Sequence, residues 1–166
     1  MSEDINQLYF PSTLNLVETL KAKMIPEHPD INSVLLEQIK ERIGDKCIQT
    51  GHIQKSSIKI LERTIGKINS GHFNGYIHYN VKISFNLCIP VVGQKISAKV
   101  FGKNQAGILC LAGPFHIMLS PENQDDTEIY QNIEKGDEIL INVLRYKIML
   151  NHDHIRVLGK FISKIR

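Results

Sequence analysis

Few side chains in this sequence have a type and spacing that could do chemistry, and each has a plainer role beside the chemical one. His152-Asp153-His154 offers two imidazoles to a metal ion, but it falls where a hairpin needs a polar turn. Cys47, Cys88 and Cys110 are odd in number and widely spaced, with no Cys-x-x-Cys pair. They read as reduced thiols packed as small hydrophobes. His72, His78 and His116 stand alone, and Asp125-Asp126 lies in a polar run that reads as solvation. Gly71 to Gly75 is glycine-rich, yet no helical period follows it to seat a phosphate. The spacings of a serine nucleophile elbow, a zinc protease helix and a phosphate-binding loop are absent. No catalytic residue, metal or cofactor is therefore expected.

Binding chemistry is better represented. The segment Arg63 to Gly75 carries three glycines and reads as a loop, yet Ile65 and Ile68 make it apolar. Exposed apolar side chains on a loop tip cost solubility unless they are covered. Either the loop folds back on its own domain or a partner buries it. The second half of the chain carries Lys95, Lys99, Lys103, Arg145, Lys147, Arg156, Lys160, Lys164 and Arg166, with Phe101, Phe115, Tyr146 and Phe161 among them. Cations interleaved with aromatics suit a single-stranded nucleic acid, and equally suit a solvated surface over a few core rings.

The elements that must position these residues follow from period and punctuation. Residues 1–15 hold no clear period, and Leu16 to Met24 alternates as a half-buried strand, with Glu18 out of place on the apolar parity and a short helix as the alternative. Asp30 is a good N-cap, Ile31, Leu35, Ile39 and Ile43 repeat every four residues, and Gly44 is a ready C-cap, so a helix is expected over 31–43. Cys47 to Ile53 and Ser57 to Leu61 read as strands, and Gly75 to Leu87 as a long one. Pro90 marks a seam. Beyond it lie Val92–Val100, Ile108–Leu111, Phe115–Leu119, Glu138–Leu150 and Ile155–Ile162, five strands with a polar, solvated loop at 121–132. Five short strands at this spacing suit a small barrel of the OB type. The fold class expected is α+β, with a strand-helix-strand-strand domain over 1–89 and an all-β S1-type OB barrel over 90–166.

Composition sets the bounds. The 166 residues are 42% hydrophobic and 22% charged, values of a folded chain. A net charge of +3 is modest for a protein whose main task is neutralising many phosphates. No apolar run approaches the roughly 20 residues of a membrane span, and the acidic start Met1-Ser-Glu-Asp is unlike a secretory signal. An intracellular protein is expected, without a membrane.

The ordered segments of the chain resemble a known family. They are G-D-K-C-I-Q-T-G-H-I at 44–53, I-K-I-L-E-R-T-I-G-K-I at 58–68, Y-N-V-K at 79–82, P-V-V-G-Q-K-I-S-A-K-V at 90–100, N-Q-A-G-I at 104–108, G-P-F-H-I-M-L-S at 113–120, G-D-E-I at 136–139 and I-R-V-L-G-K at 155–160. In order and spacing over residues 16–162 they resemble the seventh-subunit, or stalk, family of eukaryotic-type multisubunit RNA polymerases. That family has a similar stalk counterpart in archaeal polymerases and relatives encoded by large DNA viruses. The resemblance implies a non-catalytic subunit whose first domain plugs into the polymerase core and whose S1-type barrel lies near the RNA exit path. It places the core-docking tip at Arg63, Ile65, Gly66, Lys67, Ile68, His72 and Phe73. It implies as partners the largest and other core subunits, a small helical stalk subunit in cellular relatives, and nascent RNA, rather than a second copy of the chain. The location implied is the nucleus for a cellular protein, and a cytoplasmic virus factory or virion for a viral one. RNA-binding S1 barrels carry aromatics and a histidine where this chain has Ala106, Leu109 and Met118, so the stacking platform is missing. What remains is electrostatic contact by Lys99, Lys103, Arg145 and Lys147. The alternative is a free-standing S1-type RNA-binding protein resembling a translation factor.

Overall fold

The computed structural model describes residues 8–25, 30–68, 71, 74–125 and 127–165. In chain order its elements are β1 (Tyr9–Lys21), α1 (Ile31–Ile43), β2 (Cys47–Ile48), β3 (Gly51–Ile53), β4 (Lys59–Arg63), β5 (Lys67–Ile68), β6 (Tyr76–Cys88), β7 (Lys95–Asn104), β8 (Gly107–Ala112), β9 (Phe115–Leu119), α2 (Thr127–Gln131), β10 (Glu138–Lys147) and β11 (Ile155–Lys164). They form two compact units. One comprises residues 11–45 and 53–87, and the other residues 8–10, 46–52 and 88–165.

In the first unit β6 is the central strand, with β1 on one side and β4 and β5 paired in turn along the other. Its odd positions Tyr79, Val81, Ile83, Phe85 and Leu87 are buried, as the alternation expected. The helix spans the expected residues. Asp30 caps it by accepting from the Asn32 amide at 3.0 Å, and Leu35 and Ile39 are its buried stripe. Gly44 ends it, but in an extended conformation (φ −65°), and the left-handed residue is Asp45 (φ 52°).

The first strand departs from the expected 16–24. It begins at Tyr9 and stops at Lys21, before a single 3-10 turn. Its first half has mixed polarity because little of it is buried, so the sequence carried no period there. Glu18, the residue out of pattern, is buried. It accepts hydrogen bonds from the Arg42 guanidinium and from Gln38 Nε2 (3.0 Å), both on α1. Burial lifts its pKa above the ordinary value, against the pull of Arg42 and the Gln38 hydrogen bond. The single strand expected over Cys47–Ile53 is instead two short strands, β2 and β3, paired as a hairpin.

The second unit is a closed five-stranded barrel in the order β10-β11-β9-β8-β7, in which β9 and β11 run parallel and the other neighbouring strands antiparallel. This is an OB-like barrel, as expected. Alternate residues fill it: Ile96, Ala98 and Val100 from β7, Ile108 and Cys110 from β8, Phe115, Ile117 and Leu119 from β9, Ile139, Ile141 and Val143 from β10, and Ile155 and Val157 from β11. Gly159 takes the next inward place on β11, where a Cβ would meet Ile117, Leu119 and Ile141 side-chain atoms at 3.0–3.3 Å. Cys47 joins this core. Its amide donates to His152 O at 2.7 Å, and its carbonyl accepts from Asn151 at 2.9 Å.

The solvated loop expected at 121–132 is corrected. It holds the short helix α2, whose Tyr130 is buried and donates to Leu119 O at 3.0 Å. One aromatic among many polar residues is enough to dock the segment, and composition averaged over the run concealed it.

Candidate functional site

The tip of the first unit is partly built and partly open. The sequence left two alternatives for Arg63 to Gly75, and each holds for a different part of the segment. The backbone folds back: Lys67 pairs with His78 and Ile68 with Ile77, making β5 where a loop was expected. Gly66 permits the return, because a Cβ there would lie 2.5 Å from Ile77 Cγ2 and 2.8 Å from Tyr79 Cζ. Arg63 props the approach, donating from Nε to Asn32 Oδ1 on α1 with its guanidinium 5.7 Å from the Tyr79 ring centre. The apolar side chains stay in water. Ile65 is 86% exposed and Ile68 64%, and Leu61, at the irregularity in the β4–β6 register, is 51% exposed. A braced strand end thus presents isoleucines to solvent, an arrangement suited to filling a partner's pocket. Of the residues expected at this tip, Arg63, Ile65, Gly66, Lys67 and Ile68 come together. His72 and Phe73 lie outside the described residues.

On the barrel, strand register ties the expected cations together. Lys99 pairs with Leu111, Leu111 with His116, His116 with Arg156, and Arg156 with Lys147. The adjacent row runs Gly102, Leu109, Met118, Leu158, Arg145. Side chains paired in this way share a face. Lys99, Arg145 and Lys147 therefore belong to two neighbouring rows that wind over the outer surface, and Arg156 joins them. Lys103 is engaged otherwise: its ammonium donates to Gln131 O at 2.8 Å and lies 5.7 Å from the Tyr130 ring centre, holding α2 down. Of the three expected stacking positions, Leu109 and Met118 are direct partners and make an apolar step on this face, whereas Ala106 is an exposed turn residue between β7 and β8.

One cluster was not visible in the sequence. The His116 and His154 rings stack with centroids 4.0 Å apart and planes 11° from parallel. Asp153 Oδ1 lies 2.6 Å from His154 Nδ1, and Cys47 Sγ donates to His154 O at 3.4 Å. Burial first, and the neighbouring His154 second, hold His116 below the ordinary histidine value. The hydrogen bond from His154 holds Asp153 below the ordinary carboxylate range. The two histidines meet because β9 and β11 lie side by side, a long-range pairing with no local signature. Among the described residues no group of three or more His, Cys, Asp or Glu is placed to hold a metal ion. Cys47, Cys88 and Cys110 are free and buried, and burial pushes Cys88 and Cys110 up to about 12. No helix among the described residues is long and apolar enough to cross a membrane.

No protein-family model matches the chain. Over 170 residues it is 27% identical to a protein of Acanthamoeba polyphaga mimivirus named "Putative DNA-directed RNA polymerase subunit", an alignment covering 94% of this chain and 83% of that protein. The chain is thus similar, over nearly all its length, to a viral protein named as an RNA polymerase subunit.

Proposed function

We propose that this chain is a non-catalytic subunit of a multisubunit DNA-directed RNA polymerase, of the stalk kind, in a large DNA virus. The observation that carries the reading is the near full-length likeness to the mimivirus protein. The residue order described above, running through an α+β part and an OB-like barrel, supports the stalk assignment. In this reading residues 1–89 anchor on the largest and other core subunits through Ile65 and Ile68. The barrel, from residue 90 on, guides nascent RNA or presents a surface to transcription factors. Its contribution to RNA synthesis is geometric and electrostatic, with Lys99, Arg145, Lys147 and Arg156 meeting phosphates. A small helical partner subunit would pack beside it in a cell-like enzyme, and the site of action is the virus factory or the virion.

Affinity purification of the tagged chain from infected cells, with identification of the co-purifying proteins, tests this. Stoichiometric recovery of the two largest polymerase subunits is the expected result. Recovery of ribosomal material or bulk RNA without them overturns it and favours a free-standing RNA-binding protein.

A further inference from the structure

We propose that the stacked His116–His154 pair is a nucleobase-stacking subsite, at which one base of single-stranded RNA lies against the imidazoles while Arg156 and Lys147 hold the adjoining backbone. The inference rests on the reading of the barrel as an RNA-contacting surface and gives that surface its missing stacking element.

Three observations carry it. The two rings form a nearly parallel stack at 4.0 Å, an ordered column on which a base can add as the next layer. The stack is propped before any ligand arrives. Asp153 holds His154 at Nδ1, the Cys47 thiol holds the His154 carbonyl, and the His152 ring meets His154 edge-on at 6.0 Å. Both histidines are half-buried, so part of the stack is open to solvent, and a pre-positioned aromatic loses little freedom on binding. Strand register then supplies the cations: Arg156 is the direct partner of His116, and Lys147 of Arg156. In the next row Met118 and Leu158 are partners that give the neighbouring sugar or base an apolar floor, and Arg145 ends that row.

The charges also favour one side for the nucleic-acid backbone. Asp153 is 83% exposed beside His154 and repels phosphate. The backbone must therefore run on the Arg156 and Lys147 side, with a base turned toward the histidines. Stacking on an aromatic side chain is sequence-tolerant, because every base has a π face. This suits a surface that meets whatever transcript emerges. The subsite lies two residues along β9 from Met118, the place where resembling barrels carry their histidine, and is built from a different pair of residues.

The test is fluorescence anisotropy of the full chain with labelled short oligoadenylate, at low and at moderate salt, beside an abasic oligomer of equal charge. His154→Ala should weaken oligoadenylate binding about tenfold and leave the abasic oligomer unchanged, whereas His154→Phe should restore it. Arg156→Ala should weaken both oligomers alike and flatten the salt dependence. Equal loss of both oligomers in His154→Ala, or failure of His154→Phe to restore binding, overturns the stacking role. Unchanged binding in His154→Ala overturns it too, and leaves the electrostatic reading of the barrel standing. If the wild-type chain binds neither oligomer at low salt, the RNA reading of the barrel falls and the subsite with it.

Discussion

Ile65→Asp separates docking from folding. Full burial of an isoleucine is worth roughly 1.5–3 kcal/mol. Ile65 is 86% exposed in the chain alone, so about 1.3–2.6 kcal/mol of that is still to be gained when a partner covers it. Aspartate forfeits this gain and places a carboxylate without a partner in an apolar pocket, at a further cost of about 1–3 kcal/mol. The sum, about 2.3 kcal/mol or more, corresponds to a loss of about 40-fold or more in affinity. The folded chain should hardly change, by about 0.5 kcal/mol or less, because the side chain is already largely exposed. The assay is competition between tagged variant and untagged wild type for incorporation into the polymerase, with a thermal melt of each purified chain. Val92→Asp is the control, a substitution at a residue 61% exposed in the barrel unit. Normal incorporation of Ile65→Asp, or equal loss with Val92→Asp, would refute the tip assignment.

Three further outcomes follow from particular contacts. Gly66→Ala should cost about 1–3 kcal/mol and displace β5, because the added carbon meets Ile77 and Tyr79 well inside van der Waals distance; urea unfolding and amide exchange at Lys67 and Ile68 would read it. Arg42→Ala should cost about 2 kcal/mol at neutral pH, since it removes the cation beside buried Glu18. Burial raises Glu18 above 4.5, so as pH rises the unfolded carboxyl ionises first and stability falls until the folded one follows. Removing Arg42 moves that folded value higher still, so the deficit of the variant should be small near pH 4 and grow toward neutrality, as chemical denaturation across pH would show. Cys88 and Cys110, with thiols pushed up to about 12, should resist an alkylating reagent in the native protein and react once it is unfolded, as mass spectrometry would count.

Much of the fold was legible because burial wrote a period into it. The alternation of β6 from Ile77 to Leu87 and the four-residue repeat of α1 mark faces that are covered in the structure. The start of β1 was not legible, since Tyr9 to Val17 is largely uncovered and so under little pressure to alternate. Glu18 misled because a buried carboxylate with partners on another element looks, in one dimension, like a defect in the pattern. The exposed apolar tip was legible as isoleucines in a glycine-rich loop. Its return as β5 was not, because that depends on Gly66 meeting Tyr79 across the sheet. The histidine stack was hidden for the same reason. His116 and His154 are 38 residues apart, and only the parallel pairing of β9 with β11 brings them together. Lys103 shows the reverse case, a cation that looked available in sequence and is occupied by α2 in the structure.

The most direct test of the central claim places a photo-crosslinking residue at position 65 of the tagged chain in infected cells, with position 92 as reference. Position 65 should crosslink efficiently to one or more of the large polymerase subunits, and position 92 should not. Crosslinks from position 65 to ribosomal proteins alone, or no polymerase crosslink at position 65 where position 92 gives one, would contradict it.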